Sequence, residues 1–306
     1  MKHYRRFTVL MLLALLLVSV VPLYAQAECD EGFRLMAHFM GETCVPDAPQ
    51  RVVVLDTGEL DGVLSLGITP IGAVEAIPGL GLPAYLDLMT EDIELVGSIG
   101  EPNLEAILLL EPDLILSNAL RHEAIYDQLS AIAPTVFTET VGVVWKENLE
   151  VYAEALNRQD TLNIRFAEYQ SRINAIRDVI DVGATEVSIV RFVPGQNRVM
   201  QRGSFIGTVI DDIGFARPEP QQSDDFMITV SEEEINLMDG DVIFISVFGD
   251  PADTSLADFT EDVLWQTLSA VQNDDVYRIS DDHWFLGIGF LGANRVFDDI
   301  LVTLSN

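Results

Sequence analysis

Lysine is almost missing from this chain. It occurs only at Lys2 and Lys146, and Lys and Arg together number 17 against 49 Asp and Glu, for a formal net charge of −32 over 306 residues. A surface so short of cations cannot neutralise a phosphate backbone, which excludes nucleic acid as a partner, and it is repelled by anionic lipid. Histidine is nearly as scarce. His38, His122 and His283 are far apart and none has metal-ligand spacing, so no directly bound metal is expected. The chain also lacks a glycine-rich phosphate loop, a Gly-x-Ser-x-Gly elbow and any cysteine paired to a histidine. Nothing therefore nominates an enzyme or a resident cofactor. The enzymatic alternative, a secreted hydrolase, needs a nucleophile and a base brought together by the fold. Aromatic residues are few at 8% and acidity is high, a combination found in disordered chains, but 49% apolar residues in distinct runs exclude disorder here.

What is present begins with a leader. Lys2, Arg5 and Arg6 precede an apolar run over 7–21, and Ala25-Gln26-Ala27 supplies a small-x-small cleavage site, the pattern of a secretory signal peptide over 1–27. The run is shorter than the roughly 20 residues a membrane-spanning helix needs. Glu28 precedes Cys29 where lipid attachment needs a small residue. The mature protein is therefore expected to be soluble, periplasmic or extracellular, and not a lipoprotein. With the leader removed, Lys146 is the one lysine left, so any cationic contact to a ligand falls to one of a few arginines. In an oxidising compartment the only two cysteines, Cys29 and Cys44, are expected to form a disulfide that ties down an N-terminal arm over 28–50. Closing a loop of that size stabilises by about 3 kcal/mol in the chain-entropy model.

The chain says nearly the same thing twice. Set Glu105 on Glu233, and Ile107 falls on Ile235, Leu109 on Leu237 and Asp113 on Asp241; the apolar runs at 114–116 and 242–244 then coincide without a gap. Leu-Ser-Ala recurs at 129–131 and 268–270, and an apolar-Gly step at Leu66-Gly67 and Ile213-Gly214. Features repeated in the same order predict two lobes of similar architecture, with a ligand cleft between them. Strands are expected at 51–56, 69–74, 113–116 and 135–137, then at 187–192, 198–201, 242–247 and 276–279, with helices between them. That alternation predicts an α/β fold of two Rossmann-like lobes with parallel sheets, over 51–145 and 184–306. A stretch without Pro or Gly makes 146–183 a stiff connecting helix, with one soft point at 157–160 where Asn157 can turn left-handed.

Proteins of this class bind ligands at the rim beyond the carboxyl ends of their strands. Arg121 lies just past the run ending at Leu116. Arg191 lies inside the 187–192 strand near its end, where a cation is costly unless it faces a cleft or a partner. Trp145 opens the connector, Phe248 follows a second-lobe strand, and His283-Trp284-Phe285 clusters after another. Arginine grips anionic oxygens with a rigid fork, and aromatics cover apolar faces. The ligand-binding candidates are therefore Arg121, Arg191, Trp145, Phe248, His283 and Trp284. The plain alternatives are core packing for the aromatics and structural ion pairs for the arginines.

On these residues the chain resembles the periplasmic binding proteins of ferric-siderophore and cobalamin uptake, whose two lobes are joined by a helical backbone. The resemblance runs over about 51–304. It is carried by Gly100-Glu101-Pro102-Asn103-Leu104-Glu105 with Glu111-Pro112-Asp113-Leu114-Ile115, by the run from Leu129 to Val136, and by Ser231-Glu232-Glu233 with Asp241-Val242-Ile243-Phe244. It implies the substrate-binding protein of an ABC importer, a monomer that takes an Fe(III)-siderophore complex as its ligand and delivers it to a permease dimer. It implies that Glu105 and Glu233 dock on that permease, one carboxylate per lobe, with Glu232 the neighbouring alternative to Glu233 and helix capping the plain alternative for both. It also sets Arg121 and Arg191 against the ligand from opposite lobes. Relatives often carry Arg or Lys six residues before the first docking glutamate, and here that position is Ile99. The missing cation favours a hydroxamate or mixed citrate-hydroxamate complex over a more anionic catecholate; cobalamin is the next ligand and haem the third.

Overall fold

A computed structural model describes residues 29–305, so the leader expected at 1–27 lies outside the described residues. Cys29 is bonded to Cys44, with Cα atoms 5.6 Å apart. The arm so closed is a β-hairpin, β1 (Phe33–His38) paired antiparallel with β2 (Gly41–Pro46). It lies on a strand of the first lobe, β7 (Thr135–Thr138). Phe39 N–H donates to the Phe137 carbonyl (3.0 Å), Phe137 N–H donates to His38 Nδ1 (3.2 Å), and the Thr43 hydroxyl donates to the Thr135 carbonyl (3.3 Å).

The first lobe is built outward from two short, wholly buried strands, β3 (Val52–Val54) and β6 (Leu114–Asn118). Runs apolar on both faces suit the centre of a parallel sheet covered on each side by helices. With β4 (Gly72–Glu75), β5 (Glu94–Ser98) and β7 they form a parallel sheet of order β5-β4-β3-β6-β7. The edge strand β5 was not expected: Leu95 is exposed there, so the segment lacks the buried apolar run that marks the inner strands.

The second lobe repeats the plan. Its centre is β8 (Val187–Val193) beside β11 (Val242–Val247), in a sheet of order β10-β9-β8-β11-β12 with β9 (Gln196–Met200), β10 (Met227–Thr229) and β12 (Val276–Arg278). β8, β11 and β12 are parallel, as expected for both lobes. The other edge is not, because Pro194-Gly195, with Gly195 at φ 76°, turns β8 straight back into an antiparallel β9.

The duplication extends to register. Val52 pairs with Leu114 in one lobe, and Val187 with Val242 in the other. The repeated aspartate has a physical role in both. Asp113 accepts from the N–H groups of Gln50 and Arg51 (2.8 and 2.9 Å), and Asp241 from that of Glu186 (2.8 Å). Each carboxylate clamps the chain just before its lobe's central strand.

The connector expected as one helix over 146–183 is two, Trp145–Leu156 and Gln159–Arg177. The break falls at Asn157, which adopts φ 54°, ψ 51° and donates its side-chain amide to the Asp47 carbonyl (3.2 Å). The first helix packs on helix Thr57–Ser65 of the first lobe, and the second on helices Phe205–Ile213 and Phe290–Leu304. Lys146 is ion-paired to Asp212, which also accepts from the Tyr169 hydroxyl (2.7 Å).

Candidate functional site

β3 and β6 are neighbours from which the first sheet grows in opposite directions, so a crevice opens beyond their carboxyl ends. Asp56 lies there as the N-cap of helix Thr57–Ser65, accepting from Thr57 N–H at 2.7 Å. Arg121 reaches the same crevice from the short helix Ala119–His122, capped by Asn118 at the end of β6. Arg121 Nε donates to Asp56 Oδ2 at 3.1 Å, and Asn118 Nδ2 donates to Glu59 at 3.0 Å. Glu59 is fully buried. Burial, and then the nearby charge of Asp56, push its carboxyl up to about 8, so it carries its proton at neutral pH. The Arg121 side chain keeps 40% of its surface exposed and lines the crevice.

In the second lobe Arg191 stands on β8 opposite Ser246 of β11. Asp281, three residues beyond β12, accepts from Arg191 through both oxygens (Nε to Oδ1 2.7 Å, Nη2 to Oδ2 2.5 Å) and from the Ser246 hydroxyl (2.6 Å). The guanidinium is also within 5.0 Å of the Phe248 ring centre and 4.7 Å of that of Phe285. Two aromatic faces and a bidentate carboxylate fix its plane.

Both arginines line one cavity of about 650 Å³ between the lobes. Asp56, Thr57 and Ser204 add polar groups, while Ile99, Leu120, Phe226, Phe285 and Ile288 supply apolar walls. Leu120 from one lobe and Phe226 from the other are more than half exposed. Of the residues named from sequence, Arg121, Arg191 and Trp284 line this cavity, and so does Ile99. Phe248 stands behind it, against Arg191. Trp145 does not reach it: the indole donates to the Thr208 hydroxyl (3.1 Å) and packs edge-on to Tyr169 and Phe205, so it is a core residue of the connector. His283 also points elsewhere, bonded to Asp299 (2.7 Å) beside a second, open cavity with Tyr85 and Arg295.

Sequence reasoning missed Asp56, Asp281 and Phe285. A search for cations at strand ends passes over the anions that hold them. Yet Asp56 closes the most strand-like run of the first lobe, and Phe285 adjoins Trp284 in the same aromatic cluster. A π-helical turn over Asp282–Leu286 decides which of those rings faces the cleft.

A family model described as periplasmic binding protein matches residues 52–283. The chain belongs to the periplasmic binding protein family. Within that family it is 38% identical over 285 residues to a probable siderophore-binding lipoprotein of Bacillus subtilis, covering 87% of this chain and 86% of the relative. It is 30% identical to the Fe(3+)-citrate-binding protein of the same organism, covering 87% of this chain and 84% of the relative. Among solved structures it is similar to Staphylococcus aureus SirA complexed with staphyloferrin B, with a TM-score of 0.80, 31% identity, and coverage of 89% of this chain and 98% of the other. The periplasmic binding protein fold thus accounts for both lobes and for the cleft between them.

Glu105 and Glu233 sit on this frame as matched features. Glu105 is exposed in the first turn of helix Leu104–Leu109, and Glu233 is exposed in the turn over Glu232–Met238. Neither does the capping. Asn103 accepts from Ala106 N–H (3.0 Å) in one lobe, and Ser231 and Glu234 form a capping box in the other. The capping hydrogen bonds are thus made by other residues, and both glutamates keep exposed carboxylates in the first turn, where the helix dipole also favours them.

Proposed function

We propose that this periplasmic binding protein captures a ferric siderophore outside the cytoplasm and delivers it to an ABC importer, without chemical turnover. The observation that carries the reading is the pair Arg121 and Arg191, brought from opposite lobes to one cleft whose other walls are largely apolar. Two forks can hold carboxylate or hydroxamate oxygens of a complex, while the apolar walls cover its organic arms. Ile99 in the lining, where a cation would favour a catecholate, supports a mixed citrate-hydroxamate or hydroxamate complex. So does the similarity to a siderophore-binding lipoprotein and an Fe(3+)-citrate-binding protein. Glu105 and Glu233 are the proposed permease contacts, one for each subunit of a permease dimer, and the binding protein acts as a monomer. Because the Cys29 thiol is bonded to Cys44, it is not free for lipid attachment, which supports a soluble exported protein.

The test is titration of the ligand-free protein with ferric complexes of citrate, a citrate-hydroxamate, a trihydroxamate and a tris-catecholate, followed by quenching of tryptophan fluorescence. Saturable binding of one of the first three, with no change in the complex afterwards, is expected. Binding of cobalamin or haem in their place, or of no ferric complex, overturns the reading.

A further inference from the structure

Each cleft arginine is held by an aspartate of its own lobe. Arg121 rests on Asp56, whose side chain is wholly buried, and Arg191 is held in a two-point grip by Asp281. These pairs are not accidents of an acidic surface. Asp56 is tied by Thr57 N–H and Asn118, and Asp281 by the Ser246 hydroxyl, so each carboxylate is itself fixed by neutral donors. Glu59, the other carboxyl beneath Arg121, bears its proton at neutral pH and adds no charge. Arg121, Arg191 and Asp56 line the cleft, and Asp281 holds Arg191 from outside that lining. Arg198, paired with Arg191 across β8 and β9, is the other cation close to Arg191 and Asp281.

Resting on the function proposed above, we propose that Asp56 and Asp281 are specificity-determining residues. By neutralising and orienting the two arginines, they bias the cleft toward ferric complexes of low net charge and against polyanionic ones. Two effects are combined. Orientation serves every ligand alike, because a fixed fork loses little freedom on binding. Charge compensation discriminates, since the repulsion each aspartate adds grows with the ligand's negative charge. A positioning residue without this second effect shifts all affinities together; a charge-setting residue changes their ratio.

Asp56→Asn and Asp281→Asn separate the two. Asparagine is a good N-cap, so Asp56→Asn keeps helix Thr57–Ser65 closed. In Asp281→Asn the amide oxygen can still accept from the Ser246 hydroxyl. Dissociation constants are measured for wild type and both variants with a neutral ferric trihydroxamate, ferric citrate and a trianionic ferric tris-catecholate, and melting temperature is recorded on the same samples. Each variant is expected to raise the preference for the trianionic over the neutral complex by about tenfold or more, whatever happens to affinity overall. The double substitution Arg191→Gln with Asp281→Asn removes both charges and is expected to restore the wild-type ratio while weakening all three ligands. An unchanged ratio in folded variants overturns the proposal. Should wild type bind no ferric complex, the function above fails. The charge proposal is then decided with iron-free citrate, which needs only the arginines. Equal citrate affinity in wild type and variants, including none in either, overturns it as well.

Discussion

Asp61, on the first helix of one lobe, accepts a hydrogen bond from the backbone N–H of Gly292, at the start of the C-terminal helix (2.8 Å). Its other oxygen accepts from Leu291 N–H (2.9 Å), and the Tyr85 hydroxyl donates to the same carboxylate (2.8 Å). A buried carboxylate at a helix N-terminus is favoured by the helix dipole. A few residues earlier, Asp282 accepts from the N–H groups of Ala84 and Tyr85 (3.2 and 2.7 Å). The lobes are thus fastened at a second place, apart from the connector.

Gly289→Ala tests that fastening. A Cβ at Gly289 would stand 2.3 Å from Asp61 Oδ1, so the carboxylate must leave the helix terminus. A loss of about 1–3 kcal/mol is expected, read as a melting temperature lower by roughly 3–10 °C. An unchanged melting temperature means the joint is not holding the lobes.

Two fastenings restrict closure. Ligand binding is expected to produce only a small rotation of the lobes, with nearly the same radius of gyration by small-angle scattering with and without ligand. A drop of several ångströms would show that the Asn157 break acts as a hinge.

Arg121→Ala and Arg191→Ala are each expected to weaken ligand binding by about 2 kcal/mol or more, roughly thirtyfold in Kd. Arg191→Ala should also lower stability, because it leaves the largely buried Asp281 side chain, 13% exposed, without its cation. Unchanged titration curves for both variants would remove the arginines from the site.

Glu59 and Asp61 make stability fall as pH rises from the acid range to about 8. Burial raises Glu59 from 4.5 to about 8 and Asp61 from 3.8 to about 6, so the folded state holds protons that the unfolded chain has released. The stability this confers is complete below the unfolded values and lost as pH rises through the folded ones. For Glu59 the window is pH 4.5 to about 8. Glu59→Gln is expected to flatten the fall in melting temperature across that window and to exceed wild type at pH 8. Parallel curves for the two proteins would mean that Glu59 is ionised in the fold.

Replacing Glu105 and Glu233 together with Ala is expected to leave ligand affinity and melting temperature intact while abolishing uptake in cells. Either single change should give a partial defect. Loss of stability with uptake preserved would return both residues to a structural role, against the caps already supplied by Asn103, Ser231 and Glu234.

Features that repeat or that obey one periodicity were legible in the sequence. The paired runs at 114–116 and 242–244 became β6 and β11, in matching register with β3 and β8. Asn157 was readable as the soft point because few other residues tolerate a left-handed backbone. Strand β5 was not legible, since an edge strand needs no buried face, and the antiparallel edge of the second sheet depended on a two-residue turn. At the site the cations were legible because they are rare in this chain. Asp56 and Asp281 were hidden among 49 acidic residues, and only distance separates them from the rest. Trp145 and His283 were misplaced for a related reason: an aromatic near a strand end has several directions to point, and the partners Thr208 and Asp299 come from elements remote in sequence.

The disulfide-closed arm also bears on how the protein avoids sticking to itself. Strand β7 is the outer strand of its sheet, and an open strand edge is a template for another chain. The hairpin occupies that edge by taking up the N–H and carbonyl of Phe137 and the carbonyl of Thr135. Reducing the Cys29–Cys44 bond would loosen this cover while leaving the cleft and its arginines untouched. In a reducing environment, edge-to-edge association of folded protein is expected ahead of any loss of ligand binding.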